Sequence, residues 1–491
     1  MTPTNSPNPT YRIISGLLLV LCLVTSCAEA ATPKTEATPP LVSAAEAPPA
    51  IPTIAPTAEP TATPIVVPAA SAPAPVGCTR GTVRTEDEIV IGALYPLSNP
   101  QMMANGFAML AATNLAIADI NERGGIGGKT IRAVIYDSAS DAAQGALFAE
   151  RLITLDCVTA IVGVFHSDVA IAVKDVAVQY HVPVIFADPY ADEVTADWAP
   201  EIFRIAPTHS MLIETMGEWL NALGDYNRDG ERLAVVIAEN TEFGRSRLQR
   251  FEETLPQVGV KTVGFPIDLP SDDFSPVIAR IVALDNLPDA IFLYLHNGNV
   301  MSLAKQLIDA GIGPERNSLL VTTSKILDDQ RFWQEVPNGN FLIAMQIGPW
   351  PSTITQMGQS FAMRFQQYFH RWPEGSAFEA YDAVWLIADA IGRADSLVPN
   401  AIIDALEKTD ITLAAGHYNF PYGSSSPPDA QGVAPYLWHQ WPTPPILYLQ
   451  YTETNQLSSQ MQVIWPPAYS NGSPPIAPKL KELIDQIGFH R

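Results

Sequence analysis

The sequence predicts an α/β protein: two successive doubly wound parallel-sheet lobes behind a disordered tether. Three observations carry that expectation. Ile89 to Ser138 reads as a buried strand, a tight turn, an amphipathic helix, a glycine turn and a second strand, a βαβ unit whose strands are parallel and whose crossover is right-handed. The same βα rhythm repeats as far as Thr322, with a restart after Thr208. The length, 491 residues, exceeds what one compact core holds, so two or more domains are expected.

The N-terminal segments read as an address rather than as fold. Arg12 precedes an apolar run from Ile13 to Val24, long enough for a signal-peptide core and too short for a stable transmembrane helix. The run ends in Val24-Thr25-Ser26-Cys27, small residues before a cysteine that resemble the bacterial lipobox; ordinary secretory cleavage nearby is the alternative. Residues 1–26 are therefore expected to be a lipoprotein signal peptide. Lipid on Cys27 would hold the chain extracytoplasmically, on the outer face of a bacterial membrane. Residues 27–77 are rich in Pro, Ala and Thr and lack aromatics. Such a stretch buries too little surface to offset its chain entropy, and its prolines favour an extended tether. Two cysteines remain for the body. Cys78 lies just before the first strand and Cys157 opens the strand Val158 to Val162. Both would sit at the amino-terminal edge of a parallel sheet, and an exported pair so placed is expected to be a disulfide.

Each later element follows from its apolar pattern. A helix over Ala142–Leu155 leads into the Val158 strand, and Val169, Val173 and Val176 mark the next helix by their spacing. Val182 to Phe186 is a further strand. After Thr208 come a helix over 209–223, strands at Arg232–Ala238, Lys261–Phe265, Ala290–Leu295 and Leu319–Thr322, and helices around Ser275–Ala283 and 300–310. A strand at Phe341–Gln346 precedes helices over 352–370, 379–393 and 399–408. From Tyr418 the chain is rich in Pro, Trp and Tyr, with short strands at Ile446–Tyr451 and Gln460–Trp465 and no βα rhythm.

Composition excludes some functions. Asp and Glu number 51 against 28 Lys and Arg, a formal charge of -23, which argues against a nucleic-acid partner. Asp225 to Gly230 begins like a calcium loop, but its twelfth position is Val236, so the bidentate Glu is missing and a surface loop is expected. Gly124–Gly128 precedes a strand rather than joining a strand to a helix, so it is no dinucleotide loop. There is no P-loop, no H-E-x-x-H and no G-x-S-x-G, and the eight histidines are dispersed. No cofactor, no metal and no enzymatic activity are expected.

Ile91-Gly92-x-x-x-Pro96-Leu97-Ser98, followed by Ala116-x-x-x-Ile120-Asn121-x-x-Gly124-Gly125-Ile126-x-Gly128, resembles the opening of type 1 periplasmic binding proteins. The nearest branch is the leucine/isoleucine/valine-binding type, the extracellular ligand-binding subunits of ABC importers. Val158–Gly163 with Ser167, Glu239-x-x-x-Phe243-Gly244 and Ala380–Val384 agree in order, and the resemblance covers roughly residues 86–465. It implies lobes of 86–206 plus 340–430 and 207–335 plus 431–475, with 476–491 as a C-terminal tail. Three crossings would join the lobes, and hinge closure would enclose a ligand between them. The implied function is capture of a small polar ligand, an amino acid or related compound, by a monomer that delivers it to an ABC importer permease. The alternative is a ligand-sensing module for a signalling receptor.

Ligands of open parallel sheets bind outside the carboxyl ends of the strands, which orders the candidate binding residues. Tyr95 and Ser98 occupy the first such turn, where turn chemistry alone also accounts for the serine. His166 and Ser167 occupy the next; similar proteins use a serine here, and helix capping is the alternative role for Ser167. Asp188 and Tyr190 stand in the third turn, where amino-acid-binding relatives carry small residues and a Ser or Thr. A cleft-facing Asp188 would favour a cationic or hydroxylated ligand group. In the second lobe Phe243 matches an aromatic placed over the ligand, His296 and Asn297 fall at a strand end, and Ser324 and Lys325 fall near where amino-acid binders carry an acid. Tyr381 is a candidate aromatic wall.

Overall fold

Strand β1 (Glu88–Tyr95) is buried from Ile89 to Tyr95, and its residues alternate between two cores as a strand's must. Ile89, Ile91, Ala93 and Tyr95 join one, and Val90 and Leu94 the other. The computed structural model describes residues 87–470 apart from 101, 241, 296–298, 315–317, 324–328 and 371. Residues 1–86, with Cys27 and Cys78 among them, lie outside the described residues.

After β1 the first lobe continues with α1 (Met103–Glu122), β2 (Thr130–Asp137), α2 (Ala142–Thr154), β3 (Ile161–Gly163), α3 (Ser167–Tyr180), β4 (Val184–Phe186) and β5 (Ile202–Arg204). The five strands form one parallel sheet in the order β2-β1-β3-β4-β5. Leu152 of α2 and Val169 and Val173 of α3 pack on one face. Ala108 and Met109 of α1 pack on the other.

The second lobe follows: α4 (His209–Leu223), β6 (Leu233–Glu239), α5 (Glu242–Thr254), β7 (Lys261–Ile267), α6 (Ser275–Val282), β8 (Ala290–Tyr294), α7 (Asn299–Asp309), β9 (Leu319–Thr323), α8 (Asp329–Glu335) and β10 (Ile343–Ile347). The chain then forms α9 (Gln356–Phe369), α10 (Gly375–Ala394), α11 (Pro399–Leu406), β11 (Asp410–Thr412), β12 (His417–Asn419), α12 (Pro428–Gln431), β13 (Ile446–Gln450) and β14 (Gln462–Trp465). The second sheet has seven strands, β14-β13-β10-β9-β8-β6-β7. Its β13 and β14 are antiparallel additions, while β7 to β10 are parallel.

The two lobes and three crossings stand as expected, but two boundaries move. Residue 340 was expected to re-enter the first lobe. Instead β10 pairs with β9 on one side and β13 on the other, Ile343 opposite Val321 and Gln450, so the return follows Ile347. The chain then stays in the first lobe past 430. Phe361, Phe378, Ile387, Tyr418 and Trp441 share a core with Ile89 and Met109, so the last crossing lies between Trp441 and β13. An apolar run marks a strand without naming its sheet, which is why the sequence misplaced this one.

One polar clamp fixes α10 to the segment after β11. Asp382 is fully buried and accepts from Ala414 N at 2.9 Å, Ala415 N at 2.7 Å and the Tyr418 hydroxyl at 2.9 Å. Burial pushes its carboxyl up to about 7 despite these donors. Asp382→Ala leaves three buried donors unsatisfied. It should lower stability by about 3 kcal/mol, read as a lower urea midpoint at unchanged slope; an unchanged midpoint would refute the clamp.

Candidate functional site

The carboxyl edge of the first sheet is built from three strand exits. At the β1 exit, Asp137 Oδ1 accepts from Leu97 N at 2.8 Å, Ser98 N at 3.3 Å and Ala139 N at 2.8 Å. This ties the turn to β2 and leaves Ser98 exposed on the rim. Tyr95 has no exposed surface, and its hydroxyl shares a 2.6 Å hydrogen bond with Thr113 of α1. Its ring lies against Gly163, where a Cβ would stand 2.5 Å from Tyr95 Cε1. Tyr95 thus serves the lobe core, not a cleft wall.

At the β3 exit, Ser167 opens α3, and its Oγ accepts from Tyr190 N at 3.2 Å and Ala191 N at 3.0 Å. It braces the neighbouring turn instead of capping its own helix. Next to it the buried His166 Nδ1 has no partner among the described residues, and burial holds the imidazole pKa below its ordinary value.

At the β4 exit, Asp188 is 5% exposed and accepts from the Tyr190 hydroxyl at 2.6 Å. Its other neighbour is the carboxyl of Glu379 on α10, itself 3% exposed and hydrogen-bonded to Asp188. Burial raises both carboxyls above the usual range, and their mutual repulsion raises Glu379 further.

The second lobe meets this wall at Tyr190. His209 N, at the start of α4, donates to Tyr190 O at 2.7 Å, and the two rings lie 6.2 Å apart. Burial and the Arg247 cation push the His209 imidazole down to about 4, so it is neutral at pH 7. Arg247 of α5 lies 4.7 Å over the Tyr294 ring at the end of β8, and its charge also reaches Tyr190. On the second-lobe side a cavity of about 90 Å³ is lined by His209, Met216, Arg247, Phe251, Tyr294 and Met345 among others. The first lobe thus brings Asp188, Glu379 and Tyr190 to this edge, and the second lobe sets His209 against Tyr190 with the Arg247 charge within reach.

Of the residues expected from sequence, Ser167, Asp188 and Tyr190 come together, with His166 alongside. Tyr381 does not join them: its hydroxyl donates to Asp119 of α1 at 2.6 Å and its ring packs 4.4 Å from Phe361. Phe243 lies in the first turn of α5 with its side chain outside the described residues, as are His296, Asn297, Ser324 and Lys325 altogether. Asp225 accepts from the backbone N–H groups of Asp229 and Gly230 at 3.2 and 2.9 Å, a self-bonded loop. Among the described residues no acid, His and Cys group suits a metal ion. Sequence reading missed Glu379, His209, Arg247 and Tyr294. Glu379 carried a visible signal, an acid inside the apolar stretch Ala377-Phe378-Glu379-Ala380-Tyr381; the other three look like ordinary helix and strand residues.

Comparison with known proteins agrees with this architecture. The family model described as Periplasmic binding protein matches residues 88–443. Leu/Ile/Val-binding protein homolog 3 of Brucella melitensis is 24% identical over 247 residues, half of this chain and 63% of that protein. The leucine-, isoleucine-, valine-, threonine- and alanine-binding protein of Pseudomonas aeruginosa is 22% identical over 352 residues, 68% of this chain and 86% of that one. Among solved structures, the branched-chain amino acid transporter substrate-binding protein LivJ of Streptococcus pneumoniae, in complex with isoleucine, superposes with a TM-score of 0.59 at 20% identity, covering 77% of this chain and 98% of that one.

Proposed function

The chain belongs to the periplasmic binding protein family, and from that premise we propose that it captures a small polar solute between its lobes and hands it to an ABC importer. As a member of that family it is a binding protein, not an enzyme. The observation that carries the proposal is the meeting of Asp188, Tyr190 and Glu379 with His209, Arg247 and Tyr294 across lobes joined by three crossings. A ligand touching both walls favours the closed arrangement by its differential contacts, and no covalent step is needed.

Around this core stand three attendant proposals. Cys27 carries the lipid that keeps the protein extracytoplasmic, on the outer face of the membrane. The Pro/Ala/Thr-rich stretch to residue 77 spaces the lobes from that membrane. Cys78 pairs with Cys157, as expected of two cysteines at one sheet edge in an exported chain. Non-reducing mass mapping of tryptic peptides would reveal that pair.

A thermal-shift panel of amino acids, amides, small peptides and aromatic acids on the mature protein tests capture. A ligand at about a hundred times its Kd adds about 2.7 kcal/mol of stability. Small-angle scattering should report compaction with the same compound. Ser167→Ala removes the brace on Tyr190 and Ala191 and should weaken the best binder about tenfold, or about 1.4 kcal/mol. No shift from any compound and no compaction would sink the proposal.

A further inference from the structure

We propose that the second-lobe cavity receives a short-chain carboxylate, its acid end held by Arg247 and the Tyr448 hydroxyl and its alkyl end laid along α4. This rests on the solute-capture reading above and names the chemistry of its ligand.

The cavity lies between two helices and the sheet that they cover. His209, Leu212, Ile213 and Met216 form one stripe of α4. Phe251 comes from α5, Tyr294 from β8 and Met345 from β10. The walls are thus mostly apolar, and the volume of about 90 Å³ sets the size of a guest. A single water needs about 10–15 Å³ on this scale, and benzene fits a cavity of about 150 Å³. A chain of about four to six carbons falls between them.

The polar groups around the cavity are of one sense. Among the described residues that line it, the charged ones are Arg247 and Arg250, in a chain whose formal charge is -23. Arg247 contributes its charge here whatever else its N–H donors hold. Two further donors stand beside the lining. Tyr448 of β13 lies directly opposite Met345 in the ladder, so the two side chains share a sheet face. Trp219 of α4 stacks on Tyr448 with ring centroids 4.6 Å apart. Both residues are buried, and neither Tyr448 Oη nor Trp219 Nε1 has a partner among the described residues. Buried polar atoms are as a rule paired, and an indole N–H can only donate. The fields of Arg247 and Tyr294, both in the lining, reach the Tyr448 hydroxyl. Two guanidinium groups, a phenol O–H and an indole N–H call for an acceptor, and the apolar walls call for one with a hydrocarbon body. A carboxylate on a short alkyl chain meets both conditions. An amine would be repelled by both arginines, and an inorganic anion would leave the apolar walls uncovered.

The test uses the mature protein with pentanoate, 1-pentanol and pentylamine as probes, read by thermal shift and calorimetric titration. Pentanoate should raise the midpoint, and neither the alcohol nor the amine should. Ile213 is partly buried in the α4 wall, so Ile213→Phe adds bulk there and should abolish the pentanoate shift. Tyr448→Phe should weaken pentanoate about tenfold without lowering the midpoint of the empty protein, because the hydroxyl it removes is unpaired in the fold. A hydroxyl that served only the fold would behave in the opposite way, with a lower midpoint and unchanged affinity. No shift with pentanoate, equal shifts with pentanol or pentylamine, or unchanged pentanoate affinity in Ile213→Phe or Tyr448→Phe would each overturn the assignment. If another compound binds and compacts the protein while pentanoate does not bind, solute capture stands and only the carboxylate assignment falls. If no compound of any class binds, capture falls with it.

Discussion

Gly244→Ala should unseat α5 and with it the cationic wall of the cleft. Gly244 is the third residue of that helix, and a Cβ there would overlap the carbonyl oxygen of Glu239, the last residue of β6, and stand 2.8 Å from its carbon. The obstacle is backbone on both sides, so no side-chain rotation relieves it and the helix start must lift from the strand. Overpacking of this kind costs about 3 kcal/mol. Arg247 lies one turn further along α5, over Tyr294, so the displacement reaches the site as well as the core. We expect a lower urea midpoint and at least about a tenfold loss of affinity for the best ligand. Gly217→Ala in α4 is the control: its Cβ would meet nothing closer than Val258 at 3.8 Å, and alanine is the better helix former by about 1 kcal/mol. Equal stability of the two variants would refute the account.

Arg204→Leu should loosen the hinge. The guanidinium is fully buried at the end of β5. Its Nε donates to Gln440 Oε1 at 2.6 Å, its Nη2 to Thr195 Oγ1 at 2.8 Å, and its Nη1 to Ala191 O. Gln440 Nε2 in turn donates to Ala206 O at 2.7 Å and Trp441 O at 2.8 Å. One side chain therefore stitches the first crossing, which follows Ile205, to the third, which follows Trp441. Burial lowers the guanidinium pKa to about 9, so it is charged at neutral pH. Leucine fills part of the volume, leaves Gln440 Oε1 and Thr195 Oγ1 without a donor and leaves Ala191 O only Val194 N, at a cost of about 3 kcal/mol. Scattering of the empty protein should show a wider spread of lobe separations, and Arg204→Lys, which reaches fewer of the acceptors at once, should fall between. A leucine variant as stable as the parent would mean that the stitch does not hold the crossings.

Much of the candidate site's position in the fold was legible because local pattern encodes it. The apolar runs ending at Tyr95, Gly163 and Phe186 placed three exits on one sheet edge, and parallel strands make that edge the ligand edge. Ser167, Asp188 and Tyr190 were reachable on that argument alone. Tyr95 was not resolved by it. Strand-end position brings a residue to the edge, but the 2.6 Å bond to Thr113 and the missing Cβ of Gly163 draw its ring into the core. Tyr381 went the same way, toward Asp119.

The sequence by itself determined which segments are strands and helices, their order, the two-lobe rhythm and the edge on which the turns gather. Those properties depend on periodicities of two and of 3.6 residues, which operate within a few residues of chain. Only the tertiary structure decided that β10 belongs to the second sheet, that Arg204 meets Gln440 across 236 residues, and that Asp188 faces Glu379. Such pairings arise when whole elements dock, and nothing in the local chain around either partner records which distant side chain will share its buried space.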